Sequence, residues 1–204
     1  VNNLFAQVPA RKKFLKTPKS ELARIHTVMT HYSLAHPDVR FSLLADGRTS
    51  FSSPGNGDLR EAIAAVYNRG VSQALLAVES LSETGIKVSG LVSAPDLYRA
   101  NRSYISLYVN QRPIQSRTLT YAVTEAYRGM MANERFPLAT LMISIPAADV
   151  DVNVHPTKSE VRFRAEGDVF SALQRGVREV IVGGSPIPET VSYTHLTLPT
   201  SDLV

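Results

Sequence analysis

The chain has 204 residues, 44% of them hydrophobic, a formal net charge of +4 and no cysteine. Its size and apolar content suffice for one large domain or two small ones with a packed core. The lack of cysteine excludes disulfides and thiolate metal sites, and no run approaches the roughly 18 apolar residues of a membrane helix.

The first twenty residues hold Arg11, Lys12, Lys13, Lys16 and Lys19 and no acid. This fits an anionic partner or an ordinary solvated basic turn. The cations precede a helix, where the macrodipole disfavours positive charge, so they gain little for helix stability. Thr17-Pro18 supplies a capping hydroxyl and a proline at the first helical position. Leu22, Ile25, Met29 and Tyr32 then recur at helical spacing, and the helix should stop before His36-Pro37. Strands are expected over 39–44 and 49–52, around a hairpin turn at Asp46-Gly47. Ser53-Pro54-Gly55-Asn56-Gly57 is the best domain boundary, dividing 1–54 from 55–188. Asp58 can cap a short helix through Tyr67, which should stop at Gly70.

Strands are then predicted over about 72–79, 86–94 and 104–109. A helix follows over about 116–131, with Leu119, Val123, Ala126, Tyr127 and Met130 inward. A strand is expected over 138–145. A last helix opens at Gly167-Asp168, with Phe170, Leu173, Val177 and Ile181 on one face. Three strands, helix, strand, helix is the pattern of an α+β fold, a two-layer α/β sandwich. Residues 189–204 have almost no charge and no useful periodicity, and read as a non-native, disordered tail.

The most informative stretch is Asp151-Val152-Asn153-Val154-His155-Pro156-Thr157-Lys158-Ser159-Glu160-Val161-Arg162-Phe163. Val150, Val152 and Val154 alternate with Asp149, Asp151 and Asn153, and alternation resumes with Val161 and Phe163 opposite Glu160, Arg162 and Arg164. Pro156 interrupts the strand, so a turn should hold Lys158 in place, suited to a phosphate or an acid. By spacing alone, Lys158 reads first as a solvated loop lysine.

This stretch resembles the DVNVHPxKxEVRF signature of the MutL family of DNA mismatch-repair ATPases. Leu4-Phe5 with Pro9-Ala10-Arg11-Lys12-Lys13-Phe14-Leu15 resembles that family's LFxNTPARRKFL, and Tyr108-Val109-Asn110-Gln111-Arg112-Pro113 its YVNGRPV. The three occur in family order. The resemblance implies a fragment: 1–54 as the C-terminal edge of a GHKL ATPase domain, and 55–188 as its second, or transducer, domain. The family's βαβ crossover is left-handed, whereas the general rule predicts a right-handed one.

The resemblance places Lys158 at the lysine that contacts the ATP γ-phosphate from the second domain, and Asn153 at an asparagine that orders the loop. His155 could face a ligand or be a hydrogen-bonded structural histidine. The family's DNA-contacting arginine aligns with Arg117. Arg112, Arg11, Lys12 and Lys13 could extend the same groove through phosphate contacts, which are sequence-independent and salt-sensitive. Departures are Gln7-Val8 for Asn-Thr, Gln115 for a basic residue, and Gln111 for Gly. Because Gln111 has a Cβ, a positive φ is costly, and that turn is expected to differ in shape.

No GxxxxGK loop is present, nor the GHKL metal-binding Glu and Asn or its DxGxG motif; these are expected upstream of Val1. The chain alone is therefore expected neither to bind ATP well nor to hydrolyse it. His26, His31 and His36 are five apart, about 140° per step on a helix, and should not converge on a metal. The full protein implied is an ATP- and Mg²⁺-dependent mediator of mismatch repair. Its partners would be DNA, a MutS-type mismatch-recognition protein and itself or a paralogue as a dimer. It would be cytoplasmic, at the nucleoid, in a prokaryote and nuclear in a eukaryote. A stand-alone nucleic-acid-binding module is the alternative, and an interaction scaffold whose helices dimerise a third.

Overall fold

A computed structural model describes Phe5, residues 7–152 and residues 161–183. In chain order the elements are α1 (Pro9–Lys12), α2 (Pro18–Ala35), β1 (Ser42–Ala45), β2 (Arg48–Ser52), α3 (Leu59–Val66), α4 (Arg69–Gln73), β3 (Leu75–Leu81), β4 (Lys87–Ser93), β5 (Tyr98–Arg99), β6 (Ile105–Val109), β7 (Arg112–Ile114), α5 (Arg117–Ala126), β8 (Phe136–Pro137), β9 (Ala139–Ser144), β10 (Val150–Asp151), β11 (Arg162–Phe163) and α6 (Glu166–Gly183). Residues 189–204, expected to be a disordered tail, lie outside the described residues.

Local chemistry sets the helix starts. Thr17 Oγ1 accepts from the Ser20 amide at 3.3 Å, and Asp58 Oδ1 accepts from the Arg60 amide at 2.7 Å. The β1–β2 hairpin turns at Asp46 and Gly47, whose φ values of 50° and 74° give a two-residue turn that follows the strand twist.

The central sheet has the order β3-β4-β9-β6-β7; β6 and β9 are parallel and the other neighbours antiparallel. Leu107 pairs with Leu141 in that parallel ladder. The chain between these strands runs through α5, which makes a β-α-β unit. Alternation then divides the side chains. Leu107, Val109, Leu141 and Ile143 join Leu119, Val123, Leu173 and Val177 of α5 and α6 on one face. This is the sandwich expected from the sequence. The opposite face is also covered: Leu75, Leu91 and Tyr108 pack with Leu34 and Ala35 of α2 and Ala62 and Ile63 of α3. The sheet is therefore enclosed between helices, and one apolar cluster joins residues on both sides of the Ser53–Gly57 turn.

Three elements differ from expectation. Gly70 lies inside α4 rather than ending a helix, because Asn68 Oδ1 accepts from the Val71 amide at 2.8 Å and restarts helical pairing; β3 consequently begins at Leu75. The helix expected over 116–131 ends at Ala126, where Arg178 of α6 donates to the Ala126 and Arg128 carbonyls, each at 2.9 Å. Finally, the helical spacing in α2 does not mark a buried face. Ile25 and Tyr32 are 45% and 47% exposed, and burial begins only at Ser33.

Candidate nucleic-acid interface

A groove of about 600 Å³ runs between α2, the 3-10 turn Arg102–Tyr104, the β6–β7 strands and the start of α5. His31, Arg102, Gln115, Ser116, Arg117 and Thr120 are among its lining residues, and no Asp or Glu is. Ser116 organises the rim. Its hydroxyl accepts from the Leu119 amide at 3.1 Å, and its carbonyl accepts from Thr120 Oγ1 at 2.7 Å. Capping leaves Arg117 as the first residue of α5, exposed and without an ion pair among the described residues. A cation at a helix N-terminus opposes the macrodipole, so helix stability does not account for it. Burial pushes the His31 pKa below its ordinary value. Cations and hydroxyls without acids suit an oxyanion, and neither a rigid base-reading helix nor a metal.

The structure brings together only part of the basic set expected from the sequence. Arg117 lines the groove. Arg112, half-buried on β7 opposite Val109, does not. Arg11 and Lys12 occupy the last turn of α1 and Lys13 its C-cap, all exposed, and none lines the groove. These cations precede α2, as expected, but they also end the short helix α1, where the dipole favours positive charge. Their placement thus fits a solvated basic turn as well as a ligand surface. Arg102 and His31 were missed. Asn101, whose Oδ1 accepts from the Ser103 amide at 3.0 Å, is the local signal for the turn that positions Arg102; His31 had no such signal.

Lys158, Asn153 and His155 lie outside the described residues. The residues on either side are tied together. Val150 pairs with Phe163 and Asp151 with Arg162, and the Arg164 amide donates to the Asp149 carbonyl at 2.9 Å. Val150, Val161 and Phe163 also pack against the core.

The β6–β7 turn is a compact two-residue turn. Asn110 and Gln111 adopt φ values of 47° and 66°, and Val109 pairs with Arg112 across them. Gln111 thus adopts the positive φ that its Cβ makes costly: strand pairing holds the turn, and Gln111 bears the backbone strain.

The described residues do not fit a Mg²⁺·ATP site. No group of three metal-ligating side chains occurs among them, and the groove has no carboxylate to share with a cation. Among the described residues, no helix is long and apolar enough to cross a membrane.

Residues 63–182 match the family described as DNA mismatch repair protein, C-terminal domain. The chain is 41% identical over 181 residues to the DNA mismatch repair protein MutL of Geotalea daltonii, covering 89% of this chain and 30% of that protein. It is 39% identical over 191 residues to MutL of Lactococcus lactis subsp. lactis, covering 94% and 29% respectively. The chain therefore spans about 30% of the length of these relatives. Among solved structures, the N-terminal domain of a DNA repair protein superposes with a TM-score of 0.67 at 24% identity, over 88% of this chain and 59% of that one. The ATPase domain of Aquifex aeolicus MutL complexed with ADP gives 0.59 at 22% identity, over 92% and 58%. At these identities the structural likeness concerns the fold.

Proposed function

We propose, since the chain belongs to the MutL family of DNA mismatch-repair proteins, that it forms the DNA-contacting and nucleotide-sensing part of an ATP-dependent repair mediator. Residues 1–54 are read as the edge of the ATPase domain and 55–188 as the transducer domain. The observation that carries the DNA half is the acid-free groove at the start of α5, where Arg117 has no carboxylate partner among the described residues. Its contacts would be to phosphates, with Arg112, Arg11, Lys12 and Lys13 as outlying cations of the same sign. Phosphate contacts position a duplex without reading its sequence, as a protein acting at any mismatch requires.

The nucleotide half rests on the family motif. Lys158 would lend a cation to the ATP γ-phosphate from outside the main pocket, and Asn153 would order its loop. The β10–β11 pairing, which holds both flanks of that segment, supports this reading. The groups that bind Mg²⁺ and the rest of ATP would belong to the part of the relatives' length that this chain does not span. A contact made with ATP and lost with its γ-phosphate gives the differential affinity needed to move one domain against another. In the assembled protein, a self or paralogue dimer would couple recognition by a MutS-type partner to strand removal.

The test is Lys158→Ala in a protein restored to the relatives' full length. ATP turnover should fall at least tenfold (on the order of 1.4 kcal/mol or more) while the circular dichroism spectrum is unchanged. Unchanged turnover would remove the sensor role. The groove equally fits a nucleic-acid module without nucleotide dependence; DNA affinity indifferent to ATP in the restored protein would favour that reading.

A further inference from the structure

The outward sides of α5 and α6 meet in a seam that the Arg117 groove does not include. Tyr121 of α5 stands against Phe170 of α6, with ring centroids 6.2 Å apart, and Tyr121 is 54% exposed. One helical turn on, the Glu125 carboxylate accepts from the Tyr121 hydroxyl and from Arg128 Nη1, the latter at 2.8 Å. There a cavity of about 370 Å³ opens between the helices, lined by Glu125, Arg128, Gln174, Arg175 and Arg178. The Tyr121–Phe170 contact and the bonds from Arg178 to the Ala126 and Arg128 carbonyls set the two helices side by side. The seam therefore runs from an aromatic end at Tyr121 to a basic end at Arg128, about 10 Å along the helix axis.

Glu125 is the one acid among the residues lining this cavity, and Tyr121 and Arg128 already share it. Arg175 and Arg178 have no carboxylate partner among the described residues. Both guanidinium groups are nonetheless held. Arg175 Nε donates to the Ser171 carbonyl at 3.3 Å, and Arg178 Nη1 to the two carbonyls at the end of α5. Their other N–H groups keep donor capacity for a carboxylate, at a reduced cost in side-chain entropy. Capping of α5 accounts for Arg178, but Arg175 bonds only within its own helix. An exposed tyrosine beside arginines is the composition of a protein interface. A duplex backbone would use the cations and leave the ring pair idle. Because α2 and α3 cover the opposite face of the sheet, they lie across it from this seam. A second copy presenting the same seam would set cations against cations, which disfavours two-fold self-pairing.

We propose that the α5–α6 seam docks a separate protein partner through a segment bearing acidic side chains and an aromatic anchor about 10 Å from them. The carboxylates engage Arg175 and Arg178, and the anchor packs on Tyr121 and Phe170. The inference does not depend on the DNA reading of the Arg117 groove.

The experiment measures the fluorescence anisotropy of a labelled peptide mixed with the 204-residue chain. The peptide carries a tryptophan, a two-glycine spacer and a run of glutamates, which places the first acid about 10 Å from the ring when extended. Saturable binding with a Kd below about 1 mM is expected, and no saturation by that concentration would overturn the proposal. Arg175→Glu should weaken binding about tenfold or more, and alanine in place of the peptide tryptophan about fivefold or more. Indifference to either change would overturn the seam. Should Arg175→Glu alter the circular dichroism spectrum, Arg175→Gln should still weaken binding about threefold or more. Arg48→Glu, at an exposed position on the distant β1–β2 hairpin, should leave binding unchanged; an equal loss there would show unspecific charge attraction and overturn the site. Arg175→Glu should also leave binding of a mixed-sequence duplex unchanged. If it weakened the duplex as much as Arg117→Glu does, the seam would belong to a nucleic-acid surface and the protein partner would be ruled out.

Discussion

Asn110 grips Ile145 by both of its backbone polar groups. Its Nδ2 donates to the Ile145 carbonyl at 2.9 Å, and its Oδ1 accepts from the Ile145 amide at 3.1 Å. The β6–β7 turn is thereby fastened to the chain leaving β9, 35 residues away. This clamp, together with strand pairing, forces Gln111 to a φ of 66°. Gln111→Gly should relieve that strain and stabilise the fold by about 0.5–1 kcal/mol, raising Tm by about 1–4 °C. Calorimetry on the purified variant checks this; a lowered Tm would show that the Gln111 side chain contributes more than its backbone costs.

Gly90 presents the opposite case. Its φ is 138°, and a Cβ there would stand 2.1 Å from the Thr140 carbonyl oxygen on the neighbouring strand. Gly90→Ala should push β4 away from β9 and destabilise the fold by about 3 kcal/mol or more. The denaturant midpoint reads this directly, and a loss under about 1 kcal/mol would mean that the strands do not approach so closely.

His31 gives the protein a pH-dependent stability. Burial holds its folded pKa below the ordinary 6.5, so between the two values the unfolded chain binds more protons than the native one. Stability then rises with pH through that window: it is complete above about pH 6.5 and falls as pH drops below it. His31→Gln should flatten this part of the urea-midpoint profile below about pH 6.5. Because the other histidines are common to both proteins, the difference between the profiles isolates His31, and parallel profiles would contradict its burial as a neutral group.

Arg117→Glu tests the groove itself. Binding should weaken by a similar factor for every duplex sequence, and the salt slope should fall by about 1 or more. If the variant instead changed which sequences are preferred, phosphate contact would be the wrong account of Arg117.

Much of the local structure was legible in the residues. Thr17-Pro18 and Asp58 announced helix starts because a cap needs only a side-chain oxygen and an amide two or three residues away. Asp46-Gly47 announced a hairpin for a similar reason. The stretch from Leu173 to Ile181 showed its buried face by period alone. The candidate site was legible only in part. Arg117 stood out through its alignment with a family arginine, whereas Arg102 and His31 became visible only once α2, the 3-10 turn and α5 met around one groove.

Caps, turns, strand alternation and family were readable along the chain, since each is encoded by near neighbours or by contiguous motifs. Tertiary structure alone decided which faces are used. It left Ile25 and Tyr32 of α2 exposed and buried Leu34 beneath the sheet. It drew Arg99, Arg102 and Arg135 onto rings from separate strands and turns. It also held Gln111 in a conformation that its own side chain disfavours. The physical reason is common to all three: burial, stacking and strain depend on partners distant in sequence, and no local pattern specifies those partners.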